Sequence, residues 1–237
     1  MNPSAQTSHA PARGLRAKIP NALTMFRLGL ACVFFAVLSV YRFPDVNSWS
    51  LPVGAAVFVV AALSDALDGY LARRWNAISV FGRVMDPFAD KVLVLGAFIV
   101  LAGPQFTDTD TRLHVSGVSP WMAVVILSRE LLVTTLRGVF EARGVDFSAT
   151  ASGKLKMALQ SAAVPLMLLI VLAAATTDLS GLVSGSLNGA ATLLEVETAV
   201  RWNRILAWAT LAVTIWSAVP YVARAVSRAG LLGDRPA

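Results

Sequence analysis

Six apolar stretches alternate with short polar segments along this chain, at 22–41, 51–71, 87–103, 119–140, 155–175 and 203–223. A helix of about 20 predominantly apolar residues is long enough to cross a bilayer. The pattern therefore predicts an all-α integral membrane protein, a bundle of six transmembrane helices. Turn signals punctuate it: Phe43-Pro44-Asp45 and Gly103-Pro104 follow the first and third stretches, and Gly117-Val118-Ser119-Pro120 introduces the fourth. Residues 11–20 read as a short basic interfacial segment ending at Pro20, with Leu15 and Ile19 dipping toward the acyl chains. Residues 176–202 read as a long outer loop whose mildly apolar part, 189–200, is either a small surface helix or loop. No internal repeat is evident, which argues against a transporter built from repeats.

Composition narrows the class. Charged residues make up 14% of the chain and hydrophobic ones 56%, with mean hydropathy +0.66, whereas soluble domains carry about 25% charged residues. The net charge of +6 is unevenly placed. Arg13, Arg16, Lys18, Arg73, Arg74, Arg83, Arg137, Arg143, Lys154, Lys156, Arg224, Arg228 and Arg235 fall in the two tails and the second and fourth loops. Only Arg42, Arg112, Arg201 and Arg204 fall in the others. Cytoplasmic loops are enriched in Lys and Arg, so both termini are expected in the cytoplasm, consistent with six spans in a plasma (inner) membrane. Cations alternating with spans suit anionic lipid and not nucleic acid. The single Cys32 excludes an internal disulfide, and with only His9 and His114 a histidine metal site is not expected. Met1 to about Ala10 lack an apolar core, so no cleavable signal is expected and the first span is read as the targeting element. The expected organisation is a tail and interfacial segment at 1–18, one six-helix domain at 19–226 and a tail at 227–237.

Polar interruptions of the second and third spans carry the chemistry. Asp65, Asp68, Gly69, Ala72 and Arg73 form D-x-x-D-G-x-x-A-R; eight residues later come Gly82, Asp86 and Asp90 as G-x-x-x-D-x-x-x-D. Spacings of three and four put each set on one helix face. A charged side chain at mid-membrane costs roughly 2.5–3.5 kcal/mol and marks a functional site by default. Two carboxylates about 4 Å apart repel by roughly 4 kcal/mol at an effective dielectric of 20, so converging acids require cations. Oxygen-only ligands select hard ions, Mg²⁺ or Mn²⁺, and two such ions suit in-line displacement at phosphorus. Gly69 and Gly82 remove side chains where a large group approaches, and Arg73 supplies a fork suited to phosphate. Taken singly, the acids have structural readings. Asp86-Pro87 resembles an N-cap with proline at the first helical position, and Asp65 fits a helix end solvated at the interface. Intramembrane acids also occur in ion-coupled transporters.

The complete pattern resembles, at every fixed position, the signature of the CDP-alcohol phosphotransferase family. That resemblance implies a six-helix, usually dimeric membrane enzyme moving a phosphoryl-linked group from a CDP-linked donor to an alcohol. It implies that Asp65, Asp68 and Asp86 hold metal and that Asp90 is general base and a metal contact. It also implies that Gly69, Ala72, Arg73 and Gly82 shape the cytidine diphosphate pocket. Within the family, Ile19–Arg27, Asp86–Lys91, Leu127–Arg137, Ser152–Lys156 and Trp216-Ser217 with Tyr221 are similar to bacterial phosphatidylglycerophosphate synthases. The implied substrates are CDP-diacylglycerol and glycerol 3-phosphate, and the implied products phosphatidylglycerol phosphate and CMP. A cardiolipin synthase or a phosphatidylinositol phosphate synthase is the alternative within the family.

An acceptor carrying a dianionic phosphate needs cations at the cytoplasmic end. Arg129 and Lys154 are the first candidates, followed by Arg27, Tyr221 and Thr24. Snorkelling for Arg27 and an interfacial ring for Tyr221 are equal readings. Asn21 is either a cap for the first helix or a donor to the CDP pyrophosphate. Glu130 and Arg137, seven apart, are read as an internal ion pair, and Lys156 as directed to lipid headgroups.

Overall fold

Six α-helices account for nearly all of the structure, a computed structural model describing residues 15–45, 49–75, 80–108, 112–144, 151–183 and 189–227. They are α1 (Leu15–Ser39), α2 (Ser50–Trp75), α3 (Val80–Leu101), α4 (Pro120–Ala142), α5 (Ala151–Val183) and α6 (Gly189–Ser227), with a short 3₁₀ turn at Pro104–Phe106. Each predicted stretch falls largely within one helix, with Val40, Tyr41, Ala102, Gly103 and Ser119 outside. By length and composition, Ala22–Ser39, Leu155–Thr176 and Val196–Ser227 are apolar enough to cross a membrane, and Ser50–Asp65 forms a shorter apolar run. The chain is thus an all-helical protein suited to a bilayer. The main packing pairs are α1 with α2 and α3, α2 with α5, and α6 with α4 and α5.

Helix boundaries depart from expectation at three places. α1 begins at Leu15 and runs through Pro20, so the basic segment does not end there and Asn21 lies inside the helix instead of capping it. Proline's missing N–H and ring disfavour a helix interior by about 3 kcal/mol, which is why a boundary is expected at Pro20. α3 starts at Val80, which puts Asp86 and Pro87 in mid-helix and removes the N-cap reading of Asp86. The 176–202 stretch is mostly helical, because α5 extends to Val183 and the 189–200 section is the first part of α6. At 39 residues, α6 is about 58 Å long at 1.5 Å per residue and exceeds a hydrocarbon core of about 30 Å. The long α5 and α6 each contain a proline, Pro165 and Pro220.

The core is apolar and continuous across the helices. Phe34, Leu38, Phe58, Phe98, Leu101, Val164, Met167, Leu168 and Leu211 are among its enclosed side chains. Phe34 meets Phe58 at 5.5 Å between ring centroids, within the range of favourable aromatic pairs. A Cβ on Gly96 would strike the Phe35 ring, so glycine lets α1 approach α3.

One end of the bundle is closed by the loop between α3 and α4. Ser116 Oγ donates to the Leu101 carbonyl at 2.6 Å and accepts from the Val118 N–H at 3.2 Å. His114 Nε2 lies 3.2 Å from the Gly103 carbonyl oxygen. From α6, the Asn203 amide donates to the carbonyls of Val115 at 2.8 Å and Met167 at 3.4 Å. Gly117 adopts φ +69°; an added Cβ there would come within 2.5 Å of the Arg204 backbone nitrogen. Only glycine takes that conformation and that proximity without strain.

Candidate functional site

The D-x-x-D-G-x-x-A-R residues all belong to α2, and Gly82, Asp86 and Asp90 all belong to α3. One continuous helix on each side keeps the spacings of three and four on single faces. Asp68, Gly69, Ala72, Arg73, Gly82 and Asp86 are described only as helix backbone, as are Asn21 and Lys154. Asp65 and Asp90 are described, and their charges act on each other across the α2–α3 pair.

Asp65 receives a salt bridge from Arg27 of α1, Nη1 to Oδ1 at 2.5 Å, with the arginine wholly enclosed and the carboxylate 39% exposed. Arg27 therefore does not snorkel. It brings a buried positive charge to the first signature acid. Thr24, one turn earlier on α1, is also fully buried.

Asp90 opens onto a small cleft lined by Lys91, Val94 and Leu95 of α3, Glu130 of α4, and Lys156, Met157, Gln160 and Ser161 of α5. Arg27, Asp65, Glu130 and Lys156 all set the field at its carboxylate. Lys91 Nζ donates to Thr134 Oγ1, whose hydroxyl donates to the Glu130 carbonyl at 2.7 Å.

Two of the lining residues, Glu130 and Lys156, belong to a cluster of buried charge. Glu130 Oε1 accepts from Arg129 Nη1 at 2.6 Å and from Lys156 Nζ at 2.5 Å. Arg129 Nη2 donates to Ser217 Oγ of α6 at 2.7 Å. Nearby, Gln160 Nε2 donates to Thr214 Oγ1 at 3.1 Å, joining α5 to α6.

Three expectations are corrected by this cluster. Lys156 is buried against Glu130 and does not reach for lipid headgroups. Its helix face explains why: Ser152, Lys156, Gln160, Ala163, Val164 and Met167 are all buried, a stripe repeating every three to four residues. The sequence holds one hint of this, the row Ser152, Lys156 and Gln160 spaced by four in an otherwise apolar helix, since polar side chains of such helices face the bundle interior. Glu130 does not pair with Arg137, because Arg129 and Lys156 occupy it. Arg137 instead donates to the Tyr221 hydroxyl at 3.2 Å and lies 3.9 Å from Glu141. Tyr221 is buried and not a membrane-interface ring; the guanidiniums of Arg137 and Arg224 lie 5.8 and 5.0 Å from its centroid. Lys91, Gln160 and Ser217 are site residues that the sequence analysis did not single out.

The donor chemistry fits a hard divalent ion. Asp65 and Asp90, carboxylates on two neighbouring helices, feel each other's charge, and Asp68 and Asp86 lie on the same two helices; oxygen donors of this kind suit such an ion. Among the described residues no group of three or more His, Cys, Asp or Glu side chains forms a metal cage by itself.

The family model described as CDP-alcohol phosphatidyltransferase matches residues 17–216. A Bacillus subtilis protein named CDP-diacylglycerol–glycerol-3-phosphate 3-phosphatidyltransferase is 36% identical over 159 residues, 64% of this chain and 76% of its own length. A Mycobacterium tuberculosis protein named "probable phosphatidylglycerophosphate synthase" is 32% identical over 225 residues, 95% of this chain and 90% of its own. A Salmonella typhimurium protein with the same name as the Bacillus one is 33% identical over 156 residues, 65% of this chain and 78% of its own. With the signature on two adjoining helices and the match running almost end to end, the chain belongs to the CDP-alcohol phosphatidyltransferase family.

Proposed function

We propose that this protein transfers the phosphatidyl group of CDP-diacylglycerol to the 1-hydroxyl of sn-glycerol 3-phosphate, giving phosphatidylglycerol phosphate and CMP. The observation that carries the reading is Asp90 on a cleft whose walls bring Lys91 and Lys156 beside it. A hydroxyl entering that cleft meets a carboxylate able to take its proton, while a phosphate on the same small molecule meets ammonium groups. The names of the relatives above support this choice of donor and acceptor.

Asp65, Asp68, Asp86 and Asp90 would hold Mg²⁺ or Mn²⁺, two ions by charge balance. When bound, the metal would neutralise the donor pyrophosphate and the departing CMP. The chain's own part is positional. Arg27 offsets one of the four negative charges on the acidic face. Gly69, Ala72, Arg73 and Gly82 would shape the CDP pocket, with Asn21 as a further donor. Lys154, Arg129, Tyr221 and Thr24 remain candidates around the acceptor phosphate. Arg129 stands one layer back, behind Glu130. In this reading the bundle crosses the plasma membrane six times with both termini and the cleft cytoplasmic. It works as a homodimer, and residues 19–226 form the catalytic domain.

The test is CMP release by the purified chain in detergent with Mg²⁺ and CDP-diacylglycerol, comparing glycerol 3-phosphate, inositol 3-phosphate and phosphatidylglycerol as acceptors. Release is expected with glycerol 3-phosphate. Release with either of the others alone would move the protein to another branch of the family.

A further inference from the structure

Lys156 reaches the cleft wall through a single described hydrogen bond, to Glu130. An ammonium on a four-carbon stem is flexible and strongly hydrated, so by itself it would present no fixed position to a ligand. Glu130 in turn is held. Its Oε1 also accepts from Arg129 Nη1, and Arg129 is anchored to Ser217 of α6. The chain of contacts runs from α6 through α4 to α5 and ends on the lining of the cleft that contains Asp90. All three charged side chains are nearly enclosed, at 5% to 11% exposure. One carboxylate between two cations leaves the trio with a net positive charge, so Glu130 restrains Lys156 without cancelling its attraction for an anion.

We propose that Glu130 is a positioning residue, fixing the Lys156 ammonium on the wall of the Asp90 cleft so that the acceptor's phosphate meets a preset cation. The inference rests on the reading of that cleft as the acceptor's site. Holding the ammonium beforehand removes an ordering cost from acceptor binding. Packing alone does not call for this arrangement, since apolar side chains of similar volume commonly stabilise a buried site as well as charges do.

The test is steady-state kinetics on the purified full-length chain, with KM measured separately for glycerol 3-phosphate and CDP-diacylglycerol. Glu130→Gln is expected to raise KM for glycerol 3-phosphate by about tenfold or more, the scale of a charge-assisted contact. KM for CDP-diacylglycerol should change far less. Glu130→Asp keeps the charge but retracts it by one methylene and should fall between the two; it carries the test if the glutamine variant does not fold. The swap Glu130→Lys with Lys156→Glu should regain thermal stability in detergent without regaining the wild-type KM. An active wild type whose KM for glycerol 3-phosphate is unchanged in both single variants overturns the inference alone, as does a swap that restores that KM. A wild type releasing no CMP with glycerol 3-phosphate overturns the functional reading together with it.

Discussion

At one end of the bundle, Ser116 and Asn203 bond to backbone carbonyls; around the cleft, Arg27, Asp65, Arg129, Glu130 and Lys156 are held mainly by one another. The first arrangement joins neutral side chains to backbone carbonyls, and it ties the α3–α4 loop to α3, α5 and α6. The second is charged and borders open space. Withdrawing an ion from water costs several kcal/mol, which a good ion pair offsets only in part. A protein that needed only stability would use the first solution throughout. The difference separates the part of the molecule that keeps the helices in register from the part proposed to hold the acceptor's phosphate.

The largest way to sharpen that contrast is Asp90→Asn. The variant should lose turnover by about 10²–10⁴-fold, the usual worth of a positioned general base, while keeping its melting temperature and most of its CDP-diacylglycerol binding. CMP release and lipid-substrate binding check both halves; a near-normal rate would remove Asp90 from its role. Next is Arg27→Met, which leaves Asp65 without its described partner. Breaking a buried pair costs about 3–5 kcal/mol, reduced to about 1–3 here because Asp65 is more than a third exposed. The check is thermal unfolding in detergent, with lowered turnover expected alongside.

How legible these two regions were from sequence differs for physical reasons. The six helices and the acidic signature could be read because hydrophobic length and spacings of three and four are local properties. α1 running through Pro20 and α3 starting before Asp86 could not, since local turn chemistry argues for a boundary at both places. Partners were harder still. Glu130 and Arg137 share a helix face, but the carboxylate is filled by the adjacent Arg129 and by Lys156 of another helix, which no spacing within α4 records. The role of Asn203 was hidden for the same reason, because its acceptors are 36 and 88 residues away. Only the inward turn of Lys156 had a usable sequence signal, the polar row Ser152, Lys156 and Gln160 on one face of an apolar helix.

At the closed end, Asn203→Ala removes the donor to the Val115 and Met167 carbonyls. It should cost about 1–3 kcal/mol of stability, the penalty of leaving buried acceptors unmet, with both KM values unchanged. Altered acceptor kinetics would mean that the two ends are coupled. The smallest effect concerns His114, whose pKa burial lowers despite bonds to the Gly103 and Ala102 backbone. A depressed folded-state value means that the unfolded chain takes up the proton first. Stability from this group is therefore complete above the unfolded value of about 6.5 and lost as pH falls through and below it. The melting temperature of His114→Gln should fall less than that of wild type between pH 7 and pH 5; an equal fall would assign the acid sensitivity elsewhere.

The central claim is that acids from α2 and α3 converge on divalent ions beside the Asp90 cleft, and it is tested most directly by turnover after metal removal. Purified protein stripped by chelator should release no CMP from CDP-diacylglycerol and glycerol 3-phosphate, and should recover on addition of Mg²⁺ or Mn²⁺. Undiminished turnover in the stripped protein would contradict the account.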